Sequence, residues 1–260
     1  MSVLYRGPRK VGFISPPTYF DDSPSAFLRV APDGVAVTQT QMRVDGMGHT
    51  IAEFTLETIA TAIPGMTACA QELARSGAEL IIQFGTPFSL VHGADARQVQ
   101  ADLESAAGVS VVMAGVAMLD AAAHFGATTV TIAAGYLDDA WKAAFEASLQ
   151  ANGLNVSSNQ NWRDQGLVAD RAESDHIAWD HQPEPAESGV RQAITAAPRA
   201  QAAMAFGGGV RMLDLAASLE SGTSMPVIGA DIALYWRALQ ELGLRPKATG
   251  FGKLIDSLIT

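Results

Sequence analysis

Twice in this chain a short apolar run breaks into a glycine-bearing turn. Glu79-Leu80-Ile81-Ile82-Gln83 runs into Phe84-Gly85-Thr86-Pro87, and Ala202-Ala203-Met204-Ala205 runs into Phe206-Gly207-Gly208-Gly209. Short runs with little polar alternation read as buried strands, the kind a parallel sheet holds between two layers of helix. In an open parallel α/β sheet, ligands sit beyond the carboxyl ends of the strands. One such turn in each half of the chain therefore points to a single site built from two similar lobes.

The segments between these turns keep the same rhythm. Val11-Gly12-Phe13-Ile14 is a strand opening into Ser15-Pro16-Pro17, and the alternating stretch 35–42 is a second strand. Apolar residues from 56 to 75 fall on one helical stripe, which Pro64-Gly65 is expected to kink or break. Helices are expected at 94–107, 116–125, 139–152, 186–196, 210–219 and 232–242, and further strands at 111–113, 128–133, 154–156 and 226–228. Residues 46–49 look like loop, and 159–184 like irregular structure with one helical turn at most. Strands alternating with helices of ordinary length give an α/β fold with a mainly parallel sheet and helices on both faces.

The chain has 260 residues, of which 48% are hydrophobic and 17% charged, so it is globular rather than disordered. A net charge of −10 argues against nucleic acid, which needs clustered Lys and Arg, and against anionic membranes. It leaves room for a small anion held by backbone N–H groups. The single cysteine, Cys69, excludes an internal disulfide and a multi-cysteine zinc site, and its place on the apolar stripe makes it a small core residue. The basic opening of the chain has no apolar core behind it and no run approaches a membrane span, so a cytoplasmic protein is expected. Alanine-rich helices such as 116–125 fit either the core or contact with a second copy of the chain.

Five stretches together carry a resemblance over most of the chain. These are 11–17, Phe84-Gly85-Thr86, 134–139, Gly207-Gly208 with Asp214, and 247–252. In order and spacing they resemble arylmalonate decarboxylase and its relatives in the aspartate/glutamate racemase superfamily, which includes maleate cis-trans isomerases. The resemblance implies two Rossmann-like lobes related by a pseudo-twofold axis, with the site in the cleft between them. It places the first lobe at 1–115 plus 226–260 and the second at 116–225. It also implies one or two catalytic cysteines, one per lobe, at the positions that Gly85 and Gly207 occupy here. Without those thiols, racemisation between opposed thiols is unavailable, and decarboxylation loses its usual acid.

The anion cradle that the resemblance implies is retained. Thr86, Tyr136 and the amides of Gly207 and Gly208 match groups that hold a carboxylate or enediolate, and Pro16-Pro17 matches a turn that lines the pocket. Pro87 stands where the family has a second hydroxyl, and removes that hydroxyl and an N–H donor. Phe88, Leu90 and Met47 are expected as apolar walls. His92 is the first candidate for a replacement acid and His49 the second, since a histidine titrates near neutral pH.

Each of these residues also has a purely structural reading. Glycine after a strand is ordinary turn chemistry, Thr86 serves equally as a cap, Tyr136 could simply precede a capped helix, and either histidine could lie at the surface. His176 and His181 with Asp175 and Asp180 form a weak case for a metal, and the family uses none. The Gly207-Gly208-Gly209 turn lacks a Gly-Lys-Ser/Thr ending, so no nucleotide or other cofactor is expected. Three readings remain open: a cysteine-independent decarboxylase of a small (di)carboxylate, a cis-trans isomerase of a small dicarboxylate, and a non-catalytic carboxylate-binding protein.

Overall fold

The structure, a computed structural model, describes residues 8–17, 20–44 and 54–259. Its described strands form two four-stranded sheets. The first joins β1 (Arg9–Ser15), β2 (Val35–Gln41), β3 (Leu80–Gln83) and β4 (Ser110–Met113) in the order β2-β1-β3-β4. The second joins β5 (Thr129–Gly135), β6 (Asn155–Asn161), β7 (Ala202–Ala205) and β8 (Val227–Gly229) in the order β6-β5-β7-β8. Every pairing is parallel. The two sheets thus repeat one winding, in which the chain crosses from the first strand to one edge, then back past it to the other.

Strand composition follows position in the sheet. The central strands β3 and β7 are buried at every residue, which is why they read as unbroken apolar runs. The edge strand β6, Asn-Val-Ser-Ser-Asn-Gln-Asn, is half-exposed and polar. Only its first residues carried a strand signal, and its remaining length falls in the stretch expected to be irregular.

The helices are α1 (Ser23–Val30), α2 (Leu56–Ala60), α3 (Ile63–Arg75), α4 (Pro87–Leu90), α5 (Ala96–Ala107) and α6 (Ala114–His124), followed by α7 (Asp139–Ala151), α8 (Arg171–Trp179), α9 (Pro183–Ala196), α10 (Ala216–Glu220), α11 (Ala230–Leu242) and α12 (Lys253–Asp256). The stripe at 56–75 breaks at Thr61-Ala62, ahead of Pro64. That proline sits in the first turn of α3, where no N–H is needed.

The segment 159–184 is more regular than expected. It finishes β6, forms α8 behind an Asp170 side chain that caps the Glu173 N–H, and begins α9 at Pro183. The helix expected at 210–219 forms only from Ala216. Ahead of it the buried Asp231 carboxylate takes the N–H groups of Met212 and Leu213, at 2.9 and 3.0 Å, and fixes them in a non-helical turn.

The expected lobe boundaries need one correction. The strand at 226–228, assigned to the first lobe, pairs with β7 and closes the second sheet. The helix after it, α11, does return to pack on β3 and β4. Helix α6 is buried along most of its length and packs against α11, so this alanine-rich stretch is core.

Candidate active site

Four strand exits converge on one cavity. From the first sheet, Pro16 follows β1, Gly85 lies between β3 and α4, and Pro87 opens α4. From the second sheet, Tyr136 and Leu137 follow β5, and Gly208 follows β7. Phe54, Phe88 and Trp141 complete an apolar wall, with the indole N–H of Trp141 bonded to the Phe54 carbonyl at 3.1 Å and the Phe54 and Phe88 rings edge to face at 6.4 Å. Side-chain polarity at the cavity comes from Tyr136 and from Arg171, which enters from α8.

Gly85 and Gly207 have φ of +112° and +102°, a backbone region that side chains rarely tolerate. Each also lies against an aromatic ring. A Cβ at Gly85 would stand 2.9 Å from Phe88 Cδ2, and one at Gly207 would stand 2.6 Å from Tyr136 Cε1. These glycines are required by local geometry, whatever chemistry runs beside them.

Tyr136 is the best-placed polar side chain. Its hydroxyl accepts the Gly208 N–H at 3.1 Å, and its ring packs against the buried Trp162 with 6.2 Å between ring centres. Burial pushes the phenol up to about 12, although the Gly208 amide pulls the other way. Thr86, between two lining residues, is wholly buried, and its Oγ1 has no hydrogen-bond partner among the described residues. It precedes α4 without capping it. A buried hydroxyl left unbonded is costly unless something else supplies a partner.

Arg171 donates through Nη1 to Asp138 and through Nε to Asp175, each at 2.7 Å. Burial opposes its charge, but the two carboxylates outweigh burial and hold the guanidinium above its ordinary pKa. Burial also raises Asp175, against the pull of Arg171. The sequence offered no hint of this cation, because it sits in the polar stretch where no helix was expected.

Several expected residues lie elsewhere. Pro17 is buried beside Pro16 but does not line the cavity, and Leu90 is buried in the core. His92 is not in the wall. It opens the 3-10 turn at 93–95, whose Gly93 carbonyl accepts from Asn152 at the end of α7, and burial lowers its pKa. His49 and Met47 lie outside the described residues. Cys69 is half-buried on α3, outside the cavity wall, and burial pushes its thiol up. His176 pairs with Asp180 on its own helix while His181 faces Asp22, and no group of three His, Cys, Asp or Glu among the described residues could hold a metal. No described helix is long and apolar enough to cross a membrane.

Residues 12–255 match the family model for arylmalonate decarboxylase. The chain belongs to the arylmalonate decarboxylase family. No curated protein matches the sequence directly. A crystal structure of arylmalonate decarboxylase is similar at 22% identity and a TM-score of 0.73, covering 95% of this chain and 99% of that one. The Pseudomonas putida S16 maleate isomerase Iso is similar at 19% identity and TM-score 0.77, covering 96% and 98%. A cysteine-to-serine mutant of the Nocardia farcinica maleate cis-trans isomerase, with a covalently bound succinylcysteine intermediate, gives 19% identity and TM-score 0.77, covering 96% and 99%. At these identities the solved structures establish the shared fold.

Proposed function

We propose that this chain decarboxylates a malonate-type dicarboxylate carrying an apolar substituent, without a thiol. The substituent packs between Phe54, Phe88 and Trp141. One carboxylate is held by the Thr86 hydroxyl, the Tyr136 phenol and the amide of Gly207, while the Gly208 N–H fixes the phenol oxygen. The other is pressed against apolar wall, where its charge is poorly solvated, and leaves as CO₂. The electron pair of the broken C–C bond passes into the retained carboxylate as an enediolate, and a proton then reaches the α-carbon.

The observation that carries this reading is the buried Thr86 hydroxyl, without a partner among the described residues, on the turn between the cavity-lining Gly85 and Pro87, next to a cavity whose wall is apolar apart from Tyr136 and Arg171. That combination suits a ligand with one charged end and a greasy body. Gly85 and Gly207 occupy the two thiol positions that the family resemblance implies. An isomerase working through a cysteine adduct needs a thiol at the cavity, and Cys69 is not in its wall.

Thr86→Val tests the reading. Its hydroxyl makes no hydrogen bond among the described residues, so the isosteric change should leave stability intact. A donor aimed at developing negative charge is worth about 3 kcal/mol, so kcat/KM should fall by roughly a hundredfold or more. Unchanged turnover would sink this assignment. Ligand-induced stabilisation with no turnover of any malonate would favour a carboxylate-binding protein instead.

A further inference from the structure

Resting on the decarboxylase reading, we propose that Tyr136 is the proton donor that stands in for the family thiol, delivering its phenolic proton to the α-carbon of the enediolate. The geometry at Gly207 carries the argument. A Cβ built there would lie 2.6 Å from Cε1, 3.0 Å from Cζ and 3.2 Å from the hydroxyl oxygen of Tyr136. The phenol therefore fills the space into which a side chain at 207 would project, with its oxygen 3.2 Å from where that side chain's Cβ would sit.

The hydroxyl also keeps its own proton available for donation. Its oxygen accepts the Gly208 N–H, so its own proton is directed elsewhere. Among the described residues, rival donors are poorly placed. Arg171 is held by Asp138 and Asp175, and a guanidinium does not give up a proton in a protein. His92 is not in the cavity wall. The charged groups acting on the phenol are Asp175 on α8, which strengthens its hold on the proton, and Arg211 beyond β7, which weakens it. With burial the dominant influence, the phenol stays protonated through the neutral range.

The step balances. As CO₂ leaves, the enediolate's electron pair forms a C–H bond with the phenolic proton, and the O–H bond breaks. The phenolate left behind keeps the Gly208 N–H, and water reprotonates it after the product departs.

The test uses a prochiral malonate, 2-methyl-2-phenylmalonate, in D₂O with the full chain. The wild type should release CO₂ and give one enantiomer of the α-deuterated acid. Tyr136→Phe should be at least a hundredfold slower, and its residual product racemic, because water then reaches both faces. Residual product of wild-type enantiomeric purity would overturn the proposal and leave Tyr136 as a cradle group only. If the variant makes too little product to resolve, fluorotyrosine placed at 136 decides. Its more acidic phenol should bring the alkaline limb of kcat to lower pH, and an unmoved limb would overturn the proposal. A wild type that releases no CO₂ from any malonate defeats the decarboxylase reading itself, and this step with it.

Discussion

The guanidinium of Arg211 lies 4.4 Å from the centre of the Phe84 ring, so a residue following β7 caps a residue following β3. The same side chain donates to Asp22 at 2.5 Å and to Ser23 at 3.0 Å, and reaches Asp21, whose side chain is fully buried, at 3.5 Å. These three residues follow β1. Arg211 thus ties the strand exits of both sheets together beside the cavity.

Arg211→Met should be strongly destabilising, because it leaves the buried Asp21 carboxylate with hydroxyl and amide partners but no cation. Breaking one side of a buried pair typically costs about 3–5 kcal/mol, and the partial exposure of Asp22 places this case near the lower end. Urea denaturation of the two proteins checks it.

Gly207→Ala should cost about 2–4 kcal/mol, from a positive φ and the collision with Tyr136 together. Adding Tyr136→Ala should recover the collision but not the backbone strain. Gly207→Cys should therefore be a poor route to a working thiol. Thermal melts of the single and double variants separate the two contributions.

His92→Asn should leave turnover and its pH profile unchanged, since the imidazole is outside the cavity wall. A lost neutral-range limb in that variant would reinstate His92 as the acid.

Stability should fall at alkaline pH in a way that Tyr136 partly controls. A tyrosine in the unfolded chain titrates near 10, and in the folded protein Tyr136 titrates near 12. The folded state holds the proton more tightly, so this contribution is complete below the unfolded value and is lost as pH rises through the folded one. Two units correspond to at most about 2.7 kcal/mol. Burial moves Tyr235 in the same direction, so Tyr136→Phe should remove only part of the loss. Denaturation at about pH 9 and about pH 11 measures that difference.

Much of the fold was legible because central strands advertise themselves. Leu80-Ile81-Ile82 and Ala202-Ala203-Met204-Ala205 are buried on both faces and so carry no polar alternation. The strand exits followed from them, and Pro16, Gly85, Pro87, Tyr136 and Gly208 do meet at one cavity. What stayed hidden was set by tertiary contacts. Arg171 reaches the cavity from a polar helix whose cap, Asp170, lies in a stretch with weak periodicity. The late start of α10 depends on Asp231, which is distant in sequence. His92 looked well placed from its spacing after Phe84, but α4 and the turn after it carry the residue away from the wall.

The most direct test of a thiol-free decarboxylase is proton NMR in D₂O of the wild type and Cys69→Ser, mixed in turn with aryl and alkyl malonates, maleate, aspartate and glutamate. The account predicts that both proteins convert a malonate bearing an apolar group to the α-deuterated monoacid at equal rates, and leave maleate and the amino acids untouched. Turnover that disappears with Cys69, or maleate isomerised while every malonate persists, would contradict it.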